Sequence, residues 1–272
     1  MNMDKHKHDQ IREAVRENYG KVAVRSEAGC GCSSSTCCGT PAGTTAADVS
    51  LKLGYAKDEV SVVPERANLG LGCGNPQAIA AMMLGETVLD LGSGGGFDCF
   101  LAARAVGETG RVIGVDMTPE MLARARENVR KAGFDNVEFR LGELENLPVA
   151  NNIVDAIISN CVINLSPEKA KVFREAFRVL KPGGHLAVSD VVRTAERPDS
   201  VKNNLALHTG CIAGAASIPE LTEMLQNAGF TAIRIKPKDE SRTFIRDWAP
   251  GGKIEDYVVS ATIEAVKPGN RT

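Results

Sequence analysis

The run from Thr87 to Thr118, TVLDLGSGGGFDCFLAARAVGETGRVIGVDMT, constrains what this chain can fold into more than any other stretch. Thr87 to Leu91 is a short apolar run of the kind that makes a buried strand. Gly92, Gly94, Gly95 and Gly96 permit a tight turn and a close approach of backbone to a ligand. Phe97 to Val106 has helical spacing, Arg111 to Val115 is a second apolar run, and Asp116 closes it. Strand, glycine turn, helix, strand and terminal acid make a nucleotide-binding half of a doubly wound α/β sheet.

The placement of the acids selects among nucleotides. A dinucleotide fingerprint requires Gly-x-Gly-x-x-Gly, whereas the run here is Asp90-Leu91-Gly92-Ser93-Gly94-Gly95-Gly96, with an acid before the first glycine. A P-loop is excluded because no Gly-Lys-Ser/Thr follows. The pattern, with an acid ending the next strand, resembles the class I S-adenosylmethionine-dependent methyltransferases. Their cofactor has no pyrophosphate; it carries a sulfonium, an amino group and a ribose diol, so carboxylates replace an anion-binding helix start. The resemblance implies that Asp116 accepts from both ribose hydroxyls, charge-assisted on the acceptor side, and that Asp90 lies near the methionine amino group.

A chain of 272 residues suggests one large domain, or one with a small appendage. A net charge of -2 gives no general pull toward nucleic acid or an anionic membrane. No apolar run approaches the roughly 20 residues that span a bilayer. The start, MNMDKHKHDQ, lacks the apolar core of a secretory signal. The expectation is a cytoplasmic protein with neither nucleic-acid nor membrane partners. In that compartment eight cysteines point to thiol chemistry or metal binding more than to structural disulfides.

Three segments are expected: 1–75 with a helix and a cysteine-rich stretch, 76–195 as the cofactor-binding domain, and 196–272 as a small α+β region. Asp4 to Tyr19 reads as a polar amphipathic helix with Ile11, Val15 and Tyr19 on one face. His6 and His8 belong to a solvated terminus. Ser26 to Thr45, rich in Gly, Ser, Thr and Cys, reads as a loop. Its Cys30, Cys32, Cys37 and Cys38 lack the paired Cys-x2-Cys spacing of structural zinc sites. They suit delivery of thiols to a soft metal, or disulfide exchange. Gly70-Leu71-Gly72-Cys73-Gly74-Asn75-Pro76 presents Cys73 in a loop. Pro76 opens a helix expected over Gln77 to Leu84, which leads into the glycine-turn strand.

Thr118 is a cap candidate for a helix through about Ala132, with Pro119 at its first position and Gly133 at its end. Val137 to Leu141 and Val154 to Ser159 read as the third and fourth strands. Gly142-Glu143-Leu144 follows the third, a position over the adenine in this fold, where Glu143 could accept from the exocyclic amine. Asn160-Cys161 follows the fourth, at the sheet edge where open α/β folds bind ligands. Glu168 to Leu180 reads as a helix stopped by Lys181-Pro182-Gly183-Gly184, and His185 to Val192 as the fifth strand. Farther on, small residues surround Cys211, a helix spans Pro219 to Ala228, and Thr231 to Pro237 and Tyr257 to Val266 complete the sheet or form a small further layer. His208 is expected at the surface.

Cys73, Cys161 and Cys211 occur singly, each in a glycine-bent segment or at a strand end. Hard oxygen acceptors do not need thiols; a soft, thiophilic centre does. Arsenic(III) held by three thiolates is pyramidal and keeps a lone pair, which sulfur donors make more nucleophilic than arsenite's oxygens would. Gly70–Pro76, Asp90–Asp98, Gly114-Val115-Asp116-Met117-Thr118 and Ser159-Asn160-Cys161-Val162-Ile163-Asn164-Leu165 together resemble the arsenite S-adenosylmethionine methyltransferases. The resemblance implies that Cys73, Cys161 and Cys211 bind arsenic. It also implies that Asp90, Gly92, Ser93, Gly94, Asp116 and Met117 line the cofactor, with Asp98 and Asn160 nearby. It implies one N-terminal cysteine that forms a disulfide during turnover, with Cys30, Cys32, Cys37 and Cys38 as candidates. A thiol reductant of the thioredoxin or glutathione type follows, as do methyl- and dimethyl-arsenical products. Two other readings are a small-molecule C-methyltransferase of the quinone-precursor type and a non-catalytic thiol-based metalloid-binding protein.

Overall fold

The computed structural model describes residues 2–24, 45–198, 205–249 and 251–269. In chain order the helices are α1 (Asn2–Val24), α2 (Ala46–Lys52), α3 (Lys57–Val62), α4 (Gln77–Ala80), α5 (Phe97–Val106), α6 (Pro119–Ala132), α7 (Lys169–Val179), α8 (Leu205–Thr209), α9 (Ile218–Ala228) and α10 (Arg242–Ile245). The strands are β1 (Thr87–Leu91), β2 (Arg111–Asp116), β3 (Val137–Leu141), β4 (Val154–Asn160), β5 (Leu180–Arg193), β6 (Thr231–Lys238) and β7 (Val258–Val266).

The strands form one sheet in the order β3-β2-β1-β4-β5-β7-β6. The first five run parallel, and β7 enters antiparallel to both β5 and β6. The last two strands therefore complete the sheet rather than build a separate layer. Alternation along each strand fills two cores. Leu89, Leu91, Ile113, Val115 and Ile157 pack on one face with α7 and α9. Val88, Val112, Ala156 and Ile158 pack on the other with α5 and α6. The order reverses between β1 and β4, which puts a crevice at their carboxyl ends. Register there is tight: Leu91 pairs with Ser159, and Asn160 with Ser189.

Three expectations need correction. The helix after Pro76 ends at Ala80, and Ala81 turns left-handed with φ 43°. The Glu86 carboxylate accepts the Met83 N–H at 2.8 Å, a donor that a longer helix would have used internally. The Lys181–Gly184 turn lies within the bounds of β5 as an irregularity, since Val154 pairs with Leu180 and Ala156 with His185. Thr118 occupies the cap position of α6 but makes no side-chain cap bond; its N–H goes to Asp116 instead. Helix α1 is longer than expected, and Ile11 and Val15 are buried as its spacing predicts.

Candidate functional site

One cavity of about 1530 Å³ opens at the carboxyl ends of β1, β2 and β4. The glycine turn forms its floor. Gly92 has φ 72°, and a Cβ there would meet Val162 Cγ1 at 2.3 Å, so only glycine fits. Gly92 and Ser93 donate their N–H groups to the Val115 carbonyl, which locks the turn against β2.

Three aspartates line this cavity beside the glycine turn. Asp90, ending β1, is buried and accepts the Cys99 S–H at 3.2 Å. Asp98, in the first turn of α5, accepts the Tyr55 hydroxyl at 2.8 and 3.1 Å and Gln77 Nε2 at 3.3 Å. Asp116, ending β2, accepts the Gly94 N–H at 2.9 Å and the Thr118 N–H at 2.8 Å. Burial pushes all three up: Asp90 well above the usual carboxylate range, with the Asp98 and Asp116 charges adding to it, Asp98 to about 6, and Asp116 less because backbone amides oppose the shift. These partners are neutral groups. Ser93 Oγ is buried beside the acids without a hydrogen-bond partner. Clustered, under-compensated carboxylates with a spare hydroxyl fit a cationic ligand bearing a diol, which is the chemistry of S-adenosylmethionine.

Beside the acids stands Asn160. Its Oδ1 accepts the Cys73 N–H at 3.0 Å, and its Nδ2 donates to the Gly74 carbonyl at 2.8 Å and to Tyr55 Oη at 3.0 Å. The loop crowds this amide: a Cβ on Gly72 would lie 2.7 Å from Asn160 Nδ2.

The three single cysteines converge. Cys161 and Cys211 both have left-handed backbone, φ 58° and 65°, uncommon for residues with a Cβ and typical of sites where function fixes the chain. The Cys161 sulfur lies within 4.8 Å of the Cys73 sulfur. Cys211 also donates its S–H to the Cys161 carbonyl at 2.7 Å. The sulfur atoms of Cys73 and Cys161 and a carboxylate oxygen of Asp190 lie within 4.8 Å of one another. Burial pushes the Cys73 thiol up, and hydrogen bonds with Cys211 and Cys73 push the Cys161 thiol well up. Cys73 and Cys161 are thus held as protonated thiols. The Ser260 hydroxyl donates to the Cys73 carbonyl at 2.6 Å, while Phe244 and Trp248 line the cavity and pack against the apolar core to which Cys73 and Cys211 belong.

Sequence reasoning missed several of these groups. Asp190 accepts from Ile163 N, Asn164 N, Asn164 Nδ2 and Val191 N, which saturates its lone pairs, so it acts as a peg for the turn after Cys161. Its position near the end of β5 was the available signal. Burial raises it to about 6. Tyr55, in Leu53-Gly54-Tyr55-Ala56, carries no local signal. Glu143 does not line the cavity; it faces Arg12 at 3.7 Å and Arg16 at 3.5 Å, half exposed, while Gly142, Leu144 and Glu145 line it. Met117 also lines it. His208 is half-buried rather than on the surface: its Nε2 lies 3.3 Å from the Leu165 carbonyl, and burial lowers its pKa. His185 contacts the Ala80 carbonyl at the sheet margin. Cys30, Cys32, Cys37 and Cys38 lie outside the described residues.

Residues 84–229 match the family model described as a methyltransferase domain. Over 266 residues the chain is 54% identical to an arsenite methyltransferase of Halobacterium salinarum, covering 96% of this chain and 67% of that protein. It is 39% identical over 254 residues to an arsenite methyltransferase of Aquipseudomonas alcaligenes, covering 90% and 69%. Among solved structures it resembles CrArsM, an arsenic(III) S-adenosylmethionine methyltransferase of Chlamydomonas reinhardtii, at 35% identity and a TM-score of 0.63, covering 82% of this chain and 75% of that one.

Proposed function

The chain belongs to the arsenite methyltransferases, and we propose that Cys73, Cys161 and Cys211 hold its arsenic(III) substrate beside the cofactor acids Asp90, Asp98 and Asp116. It is an S-adenosylmethionine-dependent enzyme that methylates trivalent arsenic, an activity consistent with arsenic detoxification. The observation that carries the site assignment is the meeting of three distant segments beside one cavity, where the Cys73 and Cys161 sulfurs lie within 4.8 Å of each other and Cys211 donates its S–H to the Cys161 carbonyl at 2.7 Å.

Arsenous acid exchanges its three hydroxyls for three thiols and releases three waters, so each thiol proton leaves on a hydroxide. The product is a neutral trithiolate whose arsenic keeps its lone pair. Bound S-adenosylmethionine would supply an electrophilic methyl group to that lone pair; forming the As–C bond breaks the S–CH3 bond, releases S-adenosylhomocysteine and leaves the arsenic formally pentavalent, two electrons short of a trivalent product. The arsenic lone pair carries no proton, so no general base is needed at the transfer. Asp190 and Asn160 fix the two loops that bear Cys161 and Cys73. Phe244 and Trp248 shield the cluster from water. Alignment of bound reactants can lower the barrier by roughly 7–11 kcal/mol.

Methyl- and dimethyl-arsenicals are the proposed products. The proposed electron source is a thiol reductant of the thioredoxin or glutathione type, acting on a disulfide formed by one of Cys30, Cys32, Cys37 or Cys38. Among the described residues no helix is long and apolar enough to cross a membrane. Purified protein with arsenite, methyl-labelled cofactor and a thiol reductant tests the reading. Label in arsenicals is expected; tight arsenite binding without label transfer would instead favour a metalloid-binding scaffold.

A further inference from the structure

Four groups between the thiol cluster and the cofactor acids form one head-to-tail hydrogen-bond chain. The Cys73 N–H donates to Asn160 Oδ1 at 3.0 Å. Asn160 Nδ2 donates to Tyr55 Oη at 3.0 Å, and more weakly to Asp98 Oδ2 itself at 3.5 Å. The Tyr55 hydroxyl donates to Asp98 Oδ1 at 2.8 Å. Every dipole points toward the carboxylate, the arrangement in which successive bonds polarise and strengthen one another. Asn160 precedes Cys161, so the same amide that reads the Cys73 backbone sits next to the second thiol. Tyr55 is 4% exposed, and its ring meets Phe97 edge-on at 4.9 Å, which holds the hydroxyl in place.

We infer that Tyr55 is a positioning residue that couples cofactor occupancy to the geometry of the thiol cluster. The inference rests on the proposed site and extends it. A cationic ligand at Asp98 keeps that carboxylate ionised, and an ionised acceptor draws hardest on the chain. A taut chain holds the Cys73 loop against Asn160, so the thiols are set for arsenic before it arrives. By linkage, arsenite tightens the cofactor by the same factor.

Gln77 supplies the control. It also donates to Asp98, at 3.3 Å, but lies off the chain to Asn160. A variant at Gln77 weakens Asp98 as an acceptor without cutting the path to Cys73.

The single tryptophan, Trp248, lines the cavity and reports binding without turnover. Arsenite is titrated with and without S-adenosylhomocysteine, which keeps the amino group and lacks the transferable methyl. In the wild type S-adenosylhomocysteine should tighten arsenite about fivefold or more, the lower end of ordinary allosteric coupling. Tyr55→Phe, which keeps the ring and leaves only the long Asn160–Asp98 contact at 3.5 Å, should lose most of that factor. Gln77→Met should weaken S-adenosylhomocysteine severalfold and leave the factor intact. No coupling in the wild type, full coupling in Tyr55→Phe, or equal loss in both variants overturns the inference. Label transfer by the wild type is measured separately, so failure of the arsenite reading and failure of this coupling are told apart.

Discussion

The Cys211 thiol lies 2.7 Å from the carbonyl oxygen of Cys161, across fifty residues of sequence. That contact ties the segment after α8 to the end of β4 and turns two isolated cysteines into neighbours. Serine at either position keeps the size and a hydrogen-bonding group but replaces a soft donor with a hard one. Cys161→Ser and Cys211→Ser should each lower methylation of arsenite and of methylarsonous acid by on the order of a hundredfold or more, the scale of about 3 kcal/mol. Melting curves should stay close to wild type. Label transfer and Trp248 fluorescence measure the two effects, and a serine variant that methylates both substrates at the wild-type rate would remove that thiol from the site.

Cofactor affinity should depend on pH through Asp98. Burial pushes this carboxyl from 3.8 to about 6, with the Tyr55 hydroxyl, Gln77 and Asn160 opposing and Glu59 adding to the shift. Asp90, and beyond it Asp116, share the cavity. The ligand's ammonium group prefers the ionised acid, so affinity for S-adenosylhomocysteine should fall as pH drops through about 6. Stability of the ligand-free protein should run the other way. The folded form holds the proton more tightly than the unfolded chain, so stability declines as pH rises from about 4 to about 6. Titration calorimetry and melting curves from about pH 4 to 8 measure both trends. Asp98→Asn should flatten the first, and a flat affinity profile in the wild type would exclude Asp98 as a cofactor group.

What the sequence revealed was what local constraint enforces. The glycine run Gly92–Gly96 between two apolar runs admits little besides a strand, a tight turn and a helix, and that unit formed where expected. The C-terminal strands were visible as alternating runs, but whether they joined the sheet depended on the β5–β7 register. Helix α4 was read too long because apolar spacing cannot reveal that Glu86 captures the Met83 N–H. The same limit applies at the site. Cys73, Cys161 and Cys211 stood out by their glycine-bent contexts and by family resemblance. Tyr55 and Asp190 acquire their roles only through tertiary bonds, to Asp98 and Asn160 and to the Ile163–Asn164 amides. Glu143 and Glu145 are two positions apart on one loop, and backbone direction alone decides that the second lines the cavity.

Arg12 fastens α1 over that loop. Its guanidinium meets Glu145 at 3.1 Å and Glu168 at 2.5 Å, and it is only 13% exposed. Glu145, 6% exposed, also accepts the Ser166 hydroxyl at 2.6 Å. Arg12→Met keeps the apolar stem and leaves a buried carboxylate with one fewer donor, a loss of about 1.5–3 kcal/mol. Hydrogen exchange should speed up along α1 and leave β1 and β4 protected; unchanged exchange in α1 would show that Ile11 and Val15 alone hold the helix. Glu143→Gln weakens a long 3.7 Å pair with Arg12 and a half-exposed pair with Arg16, and should cost less than about 1 kcal/mol. Its cofactor affinity should match wild type, and a tenfold loss would restore Glu143 to an adenine-binding role.

Gly92 links the cofactor turn to the thiol cluster through a single contact. A methyl group there would press on Val162 at 2.3 and 2.6 Å, and Val162 adjoins Cys161, whose sulfur lies within 4.8 Å of that of Cys73 and whose carbonyl accepts from Cys211. The backbone at φ 72° adds strain of about 1–2 kcal/mol for any residue with a Cβ. Gly92→Ala should therefore lose affinity for S-adenosylhomocysteine and for arsenite together, each by about tenfold or more, with a destabilisation on the order of 2–4 kcal/mol from strain and overpacking. Gly94→Ala places its methyl 4.0 Å from the nearest side-chain atom, Met121 Sδ, and should weaken the cofactor alone. Adding Val162→Ala to Gly92→Ala removes the clash but not the strain, so arsenite affinity should recover more than cofactor affinity does. Equal recovery of both, or arsenite binding untouched by Gly92→Ala, would show that the turn and the thiols do not communicate through Val162.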